Sequence, residues 1–389
     1  MKLQVRSDKL LEALSKLKKV FNQPSLHPLY RSVLLEYKDG DVIVKACDGA
    51  VWAATKCSVE STESFECLIP GDKLYDTVKS APKDTVIIIT VENWIATLRY
   101  KRTKVTITGV DPYEFQSQPR WPVSEWHSLS RLLVSMATNA GGYAASELPP
   151  LYHVYLERSN NTMFASSTDG MRLASAGVPS PGRDFKLVLN PRTLKAIKDL
   201  DGVFMVAQTD THTWIHEPSE DELVIAVPRS ANDEWRDLRQ IVAQHESAFG
   251  ITVDSTEFCS AIEVAGKVTT ESARDGSDAV YKTIVLSVEG ATLSVQSENS
   301  DVATAAVDID TTGCGAAWLG IQSRMLLDAV EGFRKSAEIE LRFPKEERLG
   351  LMLMQRPFID EPRFADCVFY ALIMPMKPEL VKRLSKEAA

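Results

Sequence analysis

Apolar residues recur three and four positions apart over six stretches of this 389-residue chain: 6–21, 72–83, 124–139, 191–200, 254–268 and 322–335. That spacing places them on one helix face, so six amphipathic helices are predicted. Ser7-Asp8 and Asp254-Ser255 offer capping oxygens, and Pro191 suits a first turn, where its missing N–H has no helical partner. Between these stretches polar and apolar residues alternate, as on strands with one buried face. Residues 32–37, 41–46, 85–90, 96–100, 104–108, 284–288, 292–296 and 337–342 are predicted strands.

The helix starts are themselves periodic. First members of successive pairs lie 118 and 130 residues apart, second members 119 and 131. This predicts a threefold repeat, each unit holding two helices and many strands. Local likeness agrees. Pro28-Leu29-Tyr30 followed by Val33-Leu34-Leu35-Glu36 resembles Pro150-Leu151-Tyr152 followed by Val154-Tyr155-Leu156-Glu157, and Cys47-Asp48-Gly49 matches Thr168-Asp169-Gly170. A weaker third copy runs from Ile284-Val285-Leu286 to Glu298-Asn299. The expected fold class is α+β, with three tandem domains.

Composition narrows the class. Hydrophobic residues are 44% and charged residues 25%, an ordinary soluble mix. No apolar run approaches the length of a membrane helix, and Met1 to Lys9 lack the apolar core of a signal peptide, so a cytoplasmic protein is expected. The six cysteines never lie closer than ten residues, which excludes a Cys-x-x-Cys site; they read as small buried hydrophobes. A net charge of −9 argues at first against nucleic acid. Its placement changes that picture: the six helical spans sum to +5, leaving −14 elsewhere. Basic helices on an acidic body suit one phosphate-facing surface, although exposed helices carry charge for solubility as well.

No active site is legible. Gly313-Cys314-Gly315 starts like a dinucleotide loop, but Trp318 fills the third glycine position. His212 and His216 are four apart in a segment that reads as a strand, which sets them about 13 Å apart, and no third ligand is evident, so a metal site is not expected there. No metal or cofactor is expected, and the chain reads as a non-enzyme. Two segments stand out. Thr168-Asp169-Gly170-Met171-Arg172-Leu173-Ala174 follows a strand and contains an Asp-Gly turn. Leu372-Ile373-Met374-Pro375-Met376-Lys377 ends a strand in a flexible methionine cluster, which suits either an adaptable apolar surface or a last core strand.

Together these segments resemble the bacterial sliding clamps, the beta subunits of DNA polymerase III. That family carries Thr-Asp-Gly-His-Arg-Leu-Ala in its middle domain and ends in Met-Pro-Met and a basic residue. The likeness extends to the Met1-Lys2-Leu3 start, the His27-Pro28-Leu29 turn and Val110-Asp111-Pro112-Tyr113-Glu114-Phe115. It implies three clamp domains, 1–121, 122–249 and 250–389, the last with a short C-terminal extension. It also implies a head-to-tail homodimer ring around double-stranded DNA, read without sequence preference, that tethers the replicative polymerase. Implied partners are the polymerase III catalytic subunit, the clamp loader and other clamp-binding-motif proteins, and no membrane. A divergent paralogue acting as an interaction scaffold that no longer encircles DNA is the alternative.

The resemblance places a protein-binding cleft at Leu148, Leu151, Thr168, Gly170, Met171, Arg172, Leu173, Ala243, Leu349, Gly350, Leu372, Met374, Pro375, Met376 and Lys377. Arg172 is expected at its rim, orienting peptides with a glutamine and Leu or Phe anchors. Lys16, Lys19, Lys73, Lys79, Arg131, Lys195, Lys198, Arg324 and Arg334 are the DNA-facing candidates, and Val105, Ile107, Lys267 and Val268 the dimer contacts. The chain departs from the family at Met171 (for histidine), at Leu148 and Pro150 (for basic and aromatic residues) and at Ala243 (for proline). Pro378 to Ala389 continue beyond the family's usual end, with Leu380, Val381 and Leu384 on one face of an expected short helix that could lie over the cleft.

Overall fold

The computed structural model describes residues 2–22, 27–38, 40–59, 66–123, 125–131, 133–134, 153–197, 203–230, 233–270, 283–299, 303–334, 336–345, 350–355 and 368–374. A related element order runs three times, the second copy without a first helix among its described elements and the third with two long strands in place of four between its helices. The first copy is β1 (Lys2–Arg6), α1 (Ser7–Phe21), β2 (Ser32–Lys38), β3 (Asp41–Cys47), β4 (Trp52–Ser58), β5 (Glu66–Pro70), α2 (Gly71–Ser80), β6 (Val86–Glu92), β7 (Ile95–Tyr100) and β8 (Thr103–Thr108). The second is β9 (His127–Ser130), β10 (Val154–Ser159), β11 (Thr162–Thr168), β12 (Arg172–Pro179), β13 (Phe185–Leu189), α3 (Pro191–Ile197), β14 (Val203–Gln208), β15 (His212–Glu217) and β16 (Leu223–Pro228). A short α4 (Arg239–Ala243) leads to the third: β17 (Ser247–Asp254), α5 (Ser255–Thr270), β18 (Thr283–Asn299), β19 (Ala303–Gln322), α6 (Ser323–Glu331), β20 (Glu338–Pro344), β21 (Leu351–Gln355) and β22 (Val368–Ile373).

Helix α1 shows why the periodic stretches fold as they do. Leu10, Ala13, Leu14, Leu17, Val20 and Phe21 form one buried stripe. Asp8 in its first turn and Lys18 and Lys19 in its last complement the helix dipole. One predicted helix is corrected. Within 124–139, His127–Ser130 is strand β9, paired antiparallel with β14, and helical residues begin only at Arg131. Four residues are too few to display a strand period, so pairing with distant β14 overrides the local pattern. Residues 135–139 and 198–200 of the predicted helices lie outside the described residues.

The chain forms two compact bodies, 1–131 with 192–230 and 132–191 with 231–389. In the first body one sheet has the order β1-β6-β7-β8 and another β5-β2-β3-β4-β16-β15-β14-β9. The second body holds β13-β10-β11-β12-β22-β21-β20-β17-β19-β18. Adjacent repeats therefore share sheets: β4 pairs with β16, and β12 with β22. The predicted strands 284–288 and 292–296 both fall in β18, where a register shift between Gly290 and Thr292 divides its ladder with β19. Among the described residues no helix is long and apolar enough to cross a membrane.

Cys47, Cys57, Cys67 and Cys259 are buried and Cys314 is exposed; Cys367 lies outside the described residues. Burial pushes the Cys57 thiol up to about 12 and raises those of Cys47, Cys67 and Cys259. Alkylation needs the thiolate, so at pH 8 Cys57 should react roughly a thousandfold more slowly than an ordinary exposed thiol. Peptide mapping after brief iodoacetamide treatment should find Cys314 modified and Cys57 intact; equal labelling would contradict this burial.

Candidate functional site

The Thr168–Arg172 turn is a dense hydrogen-bonded unit. Asp169 Oδ1 accepts from the backbone N–H groups of Met171 and Arg172 at 2.9 and 2.7 Å. Thr168 Oγ1 donates to the Arg172 carbonyl at 2.5 Å and accepts from Gly170 N at 3.0 Å. Gly170 sits at φ +87°, a left-handed conformation that a side chain would strain. The turn projects Met171 into solvent at 48% exposure, while its carbonyl accepts from Met374 N at 2.9 Å. The two segments singled out in the sequence are thus neighbours.

Strand register builds the surface beside that turn. Leu173 on β12 faces Leu372 on β22, which faces Met352 on β21. Tyr155 on β10 faces Val188 on β13. Because side chains alternate across a sheet, these residues share one face, and they form a continuous apolar cluster with Leu238. Trp235, Val242 and Met354 pack against it. Burial pushes the Tyr155 phenol above its ordinary pKa, opposed by nearby Arg236. Three methionines, Met171, Met354 and Met374, border this shelf, giving it polarisable, adaptable edges.

Of the predicted cleft residues, Thr168, Gly170, Met171, Leu173, Leu372 and Met374 come together here. Gly350, at φ +76°, lies so close that a Cβ on it would stand 3.4 Å from Met374 Sδ. Leu148, Leu151, Leu349, Pro375, Met376, Lys377 and the 378–389 extension lie outside the described residues. Two placements are corrected. Arg172 is no open rim cation: its side chain is 2% exposed, with Nε 3.0 Å from Asp169 and Nη1 2.8 Å from Asp328. Ala243 points to solvent at the end of α4, and Val242 packs on the shelf instead. Tyr155, Val188, Trp235, Leu238, Val242, Met352 and Met354 were missed. Leu238 and Val242 carry the usable signal, an i, i+4 apolar pair next to the motif strands.

The cationic candidates divide. Lys19, Lys73, Lys79, Lys195 and Arg324 are exposed on helices, and Lys16 and Arg131 are half-buried; Lys198 lies outside the described residues. In the first body Lys19, Lys195 and the unpredicted Arg192 line an open cleft of about 290 Å³ with Asp48, Val20 and Val51. Arg192 and Lys195, three apart on α3, rise on one helix face. Arg334 is exposed as well, but it ion-pairs with Glu263 and places Nε 2.5 Å from Glu331, so two carboxylates offset its charge.

Strand β8 ends its sheet, as an intermolecular edge requires, with Val105 half-buried. Ile107, expected to face outward, is 6% exposed and belongs to its own core, because its neighbours Thr106 and Thr108 take the solvent side. On α5, Lys267 is exposed and Val268 half-buried. Among the described residues no group of three or more His, Cys, Asp or Glu side chains could hold a metal ion. His212 and His216 lie on β15 as expected, His216 pairing with Glu222 at 2.9 Å.

Residues 1–119 match the family description "DNA polymerase III beta subunit, N-terminal domain". The beta sliding clamp of Pseudomonas putida is 26% identical over 198 residues, 49% of this chain and 54% of that protein. That of Pseudomonas aeruginosa is 24% identical over the same shares. The match thus spans about half the length of these curated relatives. In structure, the DNA polymerase III subunit beta from Pseudomonas aeruginosa superposes with a TM-score of 0.81 at 19% identity, covering 97% of this chain and 100% of that one. The polymerase sliding clamp from Bacillus subtilis gives 0.80 at 17% identity, covering 97% and 99%. With the repeat, the motif turn and the fold in agreement, residues 1–119 match the N-terminal domain of the DNA polymerase III beta subunit, and the chain has the fold of the bacterial beta sliding clamps, to which it is similar.

Proposed function

We propose that two copies of this chain close head to tail around duplex DNA, and that the ring tethers a replicative polymerase without catalysing a reaction itself. Each copy comprises clamp domains 1–121, 122–249 and 250–389 and works in the cytoplasm. The observation that carries this reading is the pairing of Leu173 with Leu372, which joins the two family motifs in one apolar shelf. Such a shelf takes short hydrophobic anchors, as polymerase and loader peptides of the family present. The cleft lined by Lys19, Arg192 and Lys195 supports the DNA part: backbone phosphates meet cations there and no base is read. The exposed edge of β8 offers backbone groups to a second copy.

A ring stays on closed circular DNA and slides off once the circle is cut. Loading onto a plasmid, followed by gel filtration before and after linearisation, tests this directly. Equal retention on both forms would instead favour the scaffold that does not encircle DNA, a reading supported by the carboxylates around Arg334. Replacing Lys19, Arg192 and Lys195 with Gln should flatten the dependence of log K on log salt by about 0.9 per lost phosphate contact, about 2–3 in total. An unchanged slope would remove this cleft from the DNA path.

A further inference from the structure

We infer that residues 233–245, the connector carrying α4, form a preset wall of the partner cleft, and that His153, Glu157, Asp233, Arg239 and His245 are its positioning residues. The inference rests on the cleft reading above and adds what sets the cleft's shape. The connector has little secondary structure of its own: α4 is five residues long, and its N-cap residue makes no side-chain cap. Its apolar residues Leu238 and Val242 contact the shelf, but apolar contact is non-directional and leaves such a segment free to slide.

Polar pins on both sides of those residues remove that freedom. At the start, the buried Asp233 carboxylate accepts from His153 Nε2 at 2.9 Å and from Asn190 Nδ2 at 3.1 Å. In the middle, Arg239 Nη2 donates to Glu157 Oε2 at 2.6 Å, and its guanidinium lies 4.2 Å over the Phe164 ring. Glu157 is buried, with Lys186 its second cation at 3.8 Å. At the end, His245 Nε2 donates to the Gly350 carbonyl at 3.0 Å. Buried charges and donors are satisfied in one register only, so they select the single placement that presents Leu238 and Val242 to the shelf. The sheet is adapted to the middle pin: a Cβ on Gly177 would stand 2.7 Å from Phe164, so glycine there lets the ring lie flat beneath Arg239. Trp235, edge-on to Tyr155 with centroids 5.9 Å apart, gives the connector its own optical reporter.

The test uses the full chain and a fluorescein-labelled peptide bearing a glutamine followed by Leu and Phe anchors. Arg239→Met keeps the stem over Phe164 but removes the pin, and Glu157→Gln keeps shape while removing charge. Each should weaken peptide binding about tenfold, and the double variant should be no weaker than Arg239→Met, because both remove one pin. Acrylamide quenching of Trp235, isolated by difference from Trp235→Phe, should rise in the same variants. Gly177→Ala, remote from the peptide, should do likewise by displacing Phe164. Unchanged affinity and quenching, with only the unfolding midpoint lowered, would overturn the positioning role. If neither the parent nor a Met374→Asp control binds peptide, the cleft reading falls; unchanged Trp235 quenching would then also overturn the pins, and raised quenching would uphold them.

Discussion

Arg172→Ala should lower stability by about 3–5 kcal/mol, because it strands a buried carboxylate. The Arg172 side chain is 2% exposed and that of Asp169 7%, and they meet at 3.0 Å. Asp169 also accepts the two backbone N–H groups that close the motif turn, so it cannot rotate away to find water. On the other side Arg172 reaches Asp328 on α6 at 2.8 Å, tying the turn to a helix far away in sequence. Arg172→Lys should recover less than half of the loss, since an ammonium cannot serve two separated carboxylates with a planar fork. The urea transition reported by Trp235 fluorescence measures this, and a loss below about 1 kcal/mol would mean the pair is solvated after all. Because the same turn presents Met171 and Met374, peptide binding should fall even in conditions where the variant stays folded.

Trp214→Ala should cost about 3–5 kcal/mol in the first body, while Trp214→Phe should cost about 1 kcal/mol or less. Trp214 is fully buried on β15, where Cys47, Trp52, Ala54, Ala207, Val224 and Ala226 surround it. Trp121 adds an edge contact at 5.0 Å and Trp52 a tilted one at 6.3 Å. Truncation to alanine removes nearly all of that contact and leaves a cavity that neighbouring strands cannot collapse into. Phenylalanine keeps most of the area and discards an indole N–H that finds no acceptor among the described residues. A buried donor without an acceptor is a desolvation cost, so its removal offsets part of the lost volume. If phenylalanine proves as damaging as alanine, the five-membered ring of the indole, and not the burial of apolar area, holds the cluster together.

Residues 6–21 read as a helix and fold as one from Ser7 to Phe21, since apolar periodicity acts over a few residues. The expected Ser7 cap does not form, because Ser7 Oγ bonds Pro82 and Thr85 and the N-cap position is Arg6. The Thr168–Arg172 turn is legible for the same reason: an Asp beside a glycine closes its own hydrogen bonds, and no distant partner is required. The failures are all through-space. His127–Ser130 becomes a strand because β14 is available beside it. Ile107 turns inward because the rest of its sheet supplies a core on that side. Val242, not Ala243, meets the shelf because the pinned connector sets which face of a short helix looks inward.

Charge gives the sharpest contrast. Arg172 and Arg334 look in the sequence like free cations, and carboxylates brought in by the fold offset both. Arg192 drew no notice in the sequence, yet it joins Lys19 and Lys195 at one cleft. By itself the sequence determined the helices other than the one expected over 124–139, most strands, the threefold repeat and the motif turn, since each depends on neighbours along the chain. Only the tertiary structure decided that adjacent repeats share sheets, that Leu173 meets Leu372, and which cations keep their charge exposed. Strand pairing and much of the charge compensation depend on groups far along the chain, Asp328 lying 156 residues from Arg172 and Glu263 71 from Arg334, and no local pattern encodes their approach.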